Sequence, residues 1–282
     1  MKRFSIEKEA EIIKLYTEGR HTNEIAKMYN TFNTSIRRVL LRNNIVIRSY
    51  GVAQRRVNLE DISSKEGTPD FDYFLGLLAT DGCITGDRIV LDFSEENKEL
   101  LEYWNEFLGN KCTVLCSIHK VFNVPQYRIA FRNPEIKTYL ESFGIVPRKT
   151  SHLILKYINW DVLRGIIDGD GCISSTNNGA TVRITITSGC KIFLEQIQTF
   201  LLNNGIKSYL NNSKNNVFDL SVYKSCDVLK IYKSLYTNAH FFLKRKKEKF
   251  GPLLKKFNNC KLLNSREETE HSNREPSLNR KV

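Results

Sequence analysis

Apolar positions along the chain change period three times. Over Phe4–Glu18, Ile6, Ile12, Ile13, Leu15 and Tyr16 fall at helical spacing, with Ser5 as a candidate N-cap and Gly19 just past the end. Thr22 then caps a short helix through Tyr29 with Ile25, Ala26 and Met28 inside. After a turn at Asn30–Phe32, Asn33 caps a third helix, Thr34–Arg42, whose Ile36, Val39 and Leu40 face inward. Short helix, tight turn, second short helix is the helix-turn-helix pattern. From Arg48 to Asp70 periodicity fades into Gly, Ser, Pro and charge, which reads as a linker. Two nearly continuous apolar runs follow, FLGLLATDGCI at Phe74–Ile84 and LRGIIDGDGCI at Leu163–Ile173.

Each run carries Gly at its third position, a small residue four places later, then Asp-Gly and Cys-Ile. Two such runs, with Asp81 and Asp170 at the same place in each, mark an internal duplication. A run of this kind reads as a buried helix ended by a left-handed glycine. Gly76 and Thr80, like Gly165 and Gly169, share one helical face, so the two helices can approach closely there. After each run the pattern repeats as two strands, a helix, two strands and a helix. In the first copy these are Cys83–Thr85, Arg88–Phe93, a helix from Ser94 through Leu108, Thr113–Lys120, Gln126–Arg132 and a helix over Pro134–Phe143. In the second they are Cys172–Ser175, Thr181–Thr187, Lys191–Asn203, Ile206–Asn211, Val217–Val222 and Ser225–Tyr236. The expected architecture is therefore α+β. A small all-α domain (1–47) and a basic linker (48–70) precede a pseudo-symmetric pair of αββαββα repeats (71–155 and 156–258), each with an antiparallel sheet, and a polar tail (259–282) reads as disordered.

Charge narrows the partner. The net charge of +12 over 282 residues favours a polyanion, since Lys and Arg gain affinity by neutralising phosphates and releasing counterions. Between Arg20 and Arg56 there are eight Lys or Arg and one acid, Glu24. A helix-turn-helix places its second helix in the major groove, which makes Thr34, Ser35, Arg37 and Arg38 candidate base contacts, and Arg48, Arg55 and Arg56 of the linker candidate backbone contacts. The competing reading is a three-helix packing module with solvated arginines. No run of about 18 apolar residues occurs and the amino terminus lacks an apolar signal core, so neither a membrane span nor secretion is expected, and the chain reads as intracellular. Seven cysteines scattered through strands and helices suit reduced thiols. Cys112 and Cys116 form a lone C-x₃-C, read as strand side chains in preference to zinc ligands.

Abutting helix C-termini bearing Asp81 and Asp170 would bring like charges together at negative dipole ends, a place that calls for a cation such as Mg²⁺ with its preference for oxygen ligands. These two stretches resemble the paired motifs of the LAGLIDADG homing endonucleases. The family's metal-binding acid stands at the eighth motif position, here Asp81 and Asp170; the sixth position, often acidic, is Ala79 in the first copy and Asp168 in the second. The resemblance covers Tyr73 to about Phe250. It implies cleavage of double-stranded DNA by a monomer with internal pseudo-two-fold symmetry, using Mg²⁺ (or Mn²⁺) held by Asp81, Asp170 and the carbonyls of Thr80 and Gly169. It also implies that Lys149 and Lys246 stabilise charge at the scissile phosphates, with Lys244 competing with Lys246 for the second position. The sheets would then read DNA through Arg88, His119, Gln126, Arg128 and Arg132 in one copy and Arg183, Asn211, Lys214 and Asn215 in the other. Three rivals remain at this stage: a DNA-binding regulator on a decayed endonuclease, a group I intron maturase that binds intron RNA, and two buried helices that merely end in Asp-Gly turns. Intein splicing is disfavoured, as the chain neither starts with a nucleophile nor ends in His-Asn.

Overall fold

The structure is a computed structural model that describes residues 4–47, 57–119, 123–176, 181–213 and 216–257. Arg48, Arg55, Arg56, Lys120, Lys214, Asn215 and the tail 259–282 lie outside the described residues. The chain divides into two compact units, Met1–Arg56 and Val57–Val282.

The first unit holds α1 (Ile6–Thr17), α2 (Thr22–Met28) and α3 (Asn33–Arg42) around Ile12, Tyr16, Ile25, Ala26, Ile36, Val39 and Leu40. Ser5 Oγ caps α1 by accepting from Lys8 N at 3.4 Å, as its position promised. The next two caps sit one residue earlier than expected. His21 caps α2 through Nδ1, which accepts from Asn23 N (3.1 Å), while Glu24 reaches back to His21 N, a capping box that leaves Thr22 buried as the first helical residue. Phe32 stands at the N-cap of α3 without a side-chain bond, because Asn33 spends its amide across the turn on Thr22 Oγ1 (3.0 Å). Met28 and Ile6 are exposed, so neither joins the core; Thr22, Ile25 and Ala26 already fill the inward face of a seven-residue helix.

The second unit begins earlier than the composition suggested. Val57 and Ile62 are buried in its core, and a short helix α4 (Glu60–Ser63) is held by Lys111 on Asp61 (2.6 Å) and by Asn133 donating to Val57 O (3.0 Å). Residues 57–70, read as linker from their polar composition, are therefore packed structure: two apolar side chains suffice to anchor them. Thr68 and Pro69 then start α5 (Pro69–Thr80), with Thr68 Oγ1 accepting from Phe71 N. The first repeat continues as β1 (Gly82–Thr85), β2 (Arg88–Ser94), a 3₁₀ turn (Glu95–Asn97), α6 (Lys98–Phe107), β3 (Leu115–Ile118), β4 (Pro125–Arg132) and α7 (Pro134–Glu141). The second is α8 (Trp160–Asp170), β5 (Gly171–Thr176), β6 (Thr181–Ser188), α9 (Lys191–Asn203), β7 (Tyr209–Asn212), β8 (Phe218–Val222) and α10 (Ser225–Tyr236), followed by α11 (Lys244–Glu248). The strand expected over Thr113–Lys120 shrinks to the exposed edge strand β3, and Cys112 precedes it.

Both sheets are antiparallel and ordered alike, β1-β2-β4-β3 and β5-β6-β8-β7. Their registers coincide as well: Gly82 pairs with Leu91 and Leu91 with Ile129, just as Gly171 pairs with Ile186 and Ile186 with Leu220. One face of each sheet packs on helices through Ile89, Leu91, Phe93 and Ile129, or Val182, Ile184, Ile186 and Leu220; the other face is open.

At the centre α5 and α8 touch backbone to backbone. A Cβ on Gly76 would lie 2.0 Å from Val162 O, and one on Gly165 would lie 2.0 Å from Tyr73 O, so no larger residue fits at either place. The glycines after the two aspartates serve a different purpose from the one expected. Neither is left-handed; Gly171 is extended (φ −70°, ψ 136°) and opens β5, and a Cβ there would meet Ile167 O at 2.5 Å. Gly82 likewise opens β1, where a Cβ would meet Leu78 O at 2.4 Å. The chain leaves each helix straight into a strand folded back on the last turn, and only hydrogen fits that corner.

Candidate metal and nucleic-acid site

The contact between α5 and α8 delivers their C-terminal ends to one place. A Cβ on Gly169 would stand 2.0 Å from Thr80 Oγ1 and 2.5 Å from Asp81 Oδ2, so the small seventh motif residue lets the two ends abut. Asp81 caps α5 and its carboxyl is pushed up to about 6, first by burial and then by the charge of Asp170. Asp170 ends α8 with an exposed side chain, yet burial of its surroundings also raises its carboxyl, with Lys149 and Lys246 pulling the other way.

Two ammonium groups answer these ends. Lys149 Nζ donates to the carbonyls of Thr80 (3.1 Å) and Gly82 (2.5 Å), and Lys246 Nζ to those of Ile167, Asp168 and Gly169, each at 2.7 Å. Each lysine thus caps the motif helix of its own repeat, where the helix dipole favours a cation. Burial lowers both ammonium pKa values, that of Lys246 to about 8. Lys244 is exposed and its backbone N–H bonds Glu99, so the geometry brings Lys246 to the helix end and leaves Lys244 away from it.

Behind the second helix end lies a buried polar network around Asp168 whose partners sequence reasoning missed. Asp168 is fully buried, and its Oδ2 accepts from Tyr73 OH (3.0 Å) on α5 and from Leu243 N (2.7 Å), the N-cap of the helix bearing Lys246. Burial pushes its carboxyl far up, against the pull of the Leu243 bond and of Lys246. Arg164, also buried, donates from Nε to Phe241 O (2.9 Å) and from Nη1 to Asp161 (2.5 Å) and Leu235 O (3.2 Å), and lies over the Tyr73 ring. On the other side of the helix pair Asp72 accepts from Tyr157 OH (2.5 Å) and Asn159 Nδ2 (2.6 Å). The one available signal for this network was an Arg and an Asp inside an apolar helix, residues that are seldom buried without partners.

The open sheet faces carry most of the residues expected on them. Arg88, Arg128, Arg132 and Gln126 share the face of the first sheet, and Arg183 and Asn211 that of the second. Arg128 is bound to Asp92, Arg132 to Asp87 at 3.1 Å, and Arg183 donates to Ser221 Oγ at 2.7 Å. His119 lies just beyond β3. In the first unit Thr34, Arg37 and Arg38 are exposed on α3 and Ser35 is half-buried. Cys112 and Cys116 are not joined in a disulfide, and no cluster of three or more His, Cys, Asp or Glu gathers among the described residues. No helix among them is long and apolar enough to cross a membrane.

No curated protein sequence matches the chain. Among solved structures it is similar to the I-WcaI homing endonuclease bound to its DNA recognition sequence (14% identity, 73% of this chain, 95% of that one, TM-score 0.48). It is also similar to the I-LtrWI LAGLIDADG homing endonuclease bound to target DNA (14%, 69% and 91%, 0.47) and to the N-terminal LAGLIDADG domain of DUF199/WhiA (15%, 72% and 98%, 0.43). Residues 160–236, from the start of α8 to the end of α10, match the family model described as LAGLIDADG-like domain, and the sheet of the first repeat has the same strand order as the one in this segment.

Proposed function

We propose that the chain is a divalent-metal-dependent endonuclease that binds double-stranded DNA along its two open sheet faces and cuts both strands at the ends of α5 and α8. The observation that carries this reading is the abutment of two carboxylates with raised pKa, each beside a lysine, at adjoining helix C-termini. The donor set fits a hard divalent cation: Asp81 and Asp170 offer carboxylate oxygens, and the carbonyls of Thr80 and Gly169 lie beside them. Two side-chain ligands leave the remaining positions to water and phosphate oxygens, the usual habit of Mg²⁺. When bound, Mg²⁺ or Mn²⁺ supplies a water of lowered pKa and charge neutralisation at the phosphate.

The chain's own groups do the rest. Asp81 and Asp170 would hold the cation as ionised carboxylates, and its charge would offset both the burial and the repulsion from Asp170 that raise the Asp81 carboxyl. Lys149 and Lys246 fix positive charge within reach of the same helix ends, where it offsets the charge that develops on the phosphate. The carbonyls of Thr80 and Gly169 already accept from these ammonium groups, so the lysines orient the oxygens that a cation would share. Arg88, Arg128 and Arg183 would contact DNA from the sheets, Arg55 and Arg56 from the segment joining the units, and Thr34, Ser35, Arg37 and Arg38 from α3. The first unit then contributes affinity and salt dependence while the second performs the cut.

The test incubates the full chain with a plasmid library of random inserts and Mg²⁺, then sequences the ends produced. Cleavage of both strands within one recurrent sequence, abolished by EDTA, is expected. A folded chain that enriches a sequence but leaves it intact with Mg²⁺ and with Mn²⁺ is a DNA-binding regulator, and the nuclease reading falls.

A further inference from the structure

The two open faces can be compared row by row because their registers coincide. Arg88 opposite Thr85 corresponds to Arg183 opposite Ser174, so this strand position carries an arginine in both repeats. The row level with the aspartates differs. In the first repeat it runs Asp92, Arg128, Leu115; in the second it runs Thr187, Asp219, Asn211. The central position thus holds a guanidinium on one side of the pseudo-dyad and a carboxylate on the other.

Both groups are held in place by a strand neighbour. Arg128 donates side-on to Asp92, Nε to Oδ1 at 2.5 Å and Nη2 to Oδ2 at 2.8 Å. Its other edge, Nη1 and the second Nη2 hydrogen, has no protein acceptor among the described residues, and the side chain is 38% exposed. Asp219 Oδ1 accepts from Thr187 Oγ1 at 2.5 Å, and Oδ2 has no protein donor among the described residues. Carboxylates on a surface that faces a polyanion oppose binding unless they orient a donor or accept from a base. Asp92 does the first, and Asp219 is placed for the second.

We infer that Arg128 and Asp219 are specificity-determining residues with opposite demands. Arg128, buttressed by Asp92, donates to the paired acceptors O6 and N7 of a guanine in the major groove, whereas Asp219 accepts from the exocyclic amine of a cytosine or adenine at the corresponding groove edge of the other half-site. A guanine there would set two acceptors against a carboxylate. The recognised DNA therefore breaks dyad symmetry at this pair of positions even though the backbone that reads it is duplicated. The inference rests on the DNA-binding reading above and names what that face selects.

The experiment selects double-stranded DNA from a randomised library with the full chain in EDTA, using wild type, Arg128→Ala, Asp219→Ala and the double variant Thr187→Asp with Asp219→Arg. The wild-type site should show guanine at one position and an amine-bearing base at its pseudo-dyad mate. Arg128→Ala should lower the first preference about tenfold and leave the second, and Asp219→Ala the reverse, as expected for one base-edge contact each. The double variant, which copies the first repeat's row into the second, should convert the mate to guanine. A wild-type site whose preferences survive both single substitutions, with every sequence weakened alike by Arg128→Ala, overturns the assignment and makes Arg128 a phosphate contact. A wild-type chain that enriches no sequence at all overturns the DNA reading and this assignment with it.

Discussion

The two repeats solve one problem, the capping of a helix end that carries an acid, in two ways. In the second, Lys246 is buried against three carbonyls, and Asp168 ties the start of its helix to Tyr73. In the first, Lys149 is half-exposed on two carbonyls, its chain enters through the left-handed Arg148 (φ 54°), and Ala79 stands where the carboxylate would be. Backbone geometry has been kept and side-chain support has not. The glycines at the helix contact and at the strand corners leave no room for change, while the shell around each lysine has room to diverge.

This contrast can be broken first at the lysines. Lys149→Met and Lys246→Met should each slow DNA cleavage at least about 100-fold while weakening binding only a few-fold, because their charge matters most as the phosphate gains charge. Single-turnover cleavage and equilibrium binding on the selected site give the two numbers, and equal losses would reduce the lysines to ordinary backbone contacts. Asp168→Ala comes next. It leaves the Tyr73 hydroxyl and Leu243 N–H buried without partners, at a cost of about 3 kcal/mol in urea unfolding, whereas Asp168→Asn, which keeps an acceptor, should cost clearly less. The first repeat has no counterpart to lose.

Asp81→Asn sharpens the comparison in the other direction. The Asp81 carboxyl is raised above its unfolded value, so the folded state binds the extra proton between about pH 4 and 6, and stability falls as pH rises through that window. The asparagine variant should be more stable than wild type at pH 7 by about 1–3 kcal/mol, allowing for partial exposure, and should lose that slope in melts from pH 4 to 7. The smallest effect is expected at the paired surface positions Lys98–Glu102 (4.0 Å) and Lys191–Glu195 (2.8 Å). Replacing either lysine with alanine should change stability by less than about 0.5 kcal/mol despite the difference in distance, since exposed ion pairs are screened and cost side-chain entropy.

Much of this was legible in the chain. The duplicated runs placed both motif helices, both sheets in matching order and the two aspartates, and α9 and α10 begin and end where periodicity put them. Helical and strand periods survive in sequence because they are local. Three things did not survive. Two helix caps in the first unit moved by one residue, on α2 because His21 and Glu24 form a capping box and on α3 because Asn33 bonds across the turn. Residues 57–70 looked like linker because packing by Val57 and Ile62 leaves no periodic mark. The Asp168 network joins Tyr73, 95 positions away, to a backbone N–H 75 positions away, partners that no spacing announces. The same distance hid the choice between Lys244 and Lys246, which only the three carbonyls decide.

The central claim is that the ends of α5 and α8 form one metal-dependent cutting centre from both repeats. A supercoiled plasmid carrying the selected site, treated with Mg²⁺ and wild type, Asp81→Asn or Asp170→Asn, tests it most directly, with a thermal melt of each variant alongside. Both variants should fold and bind the site, and neither should linearise the plasmid, with nicking as the most that either retains. A folded Asp170→Asn chain that linearises it at the wild-type rate would contradict the account.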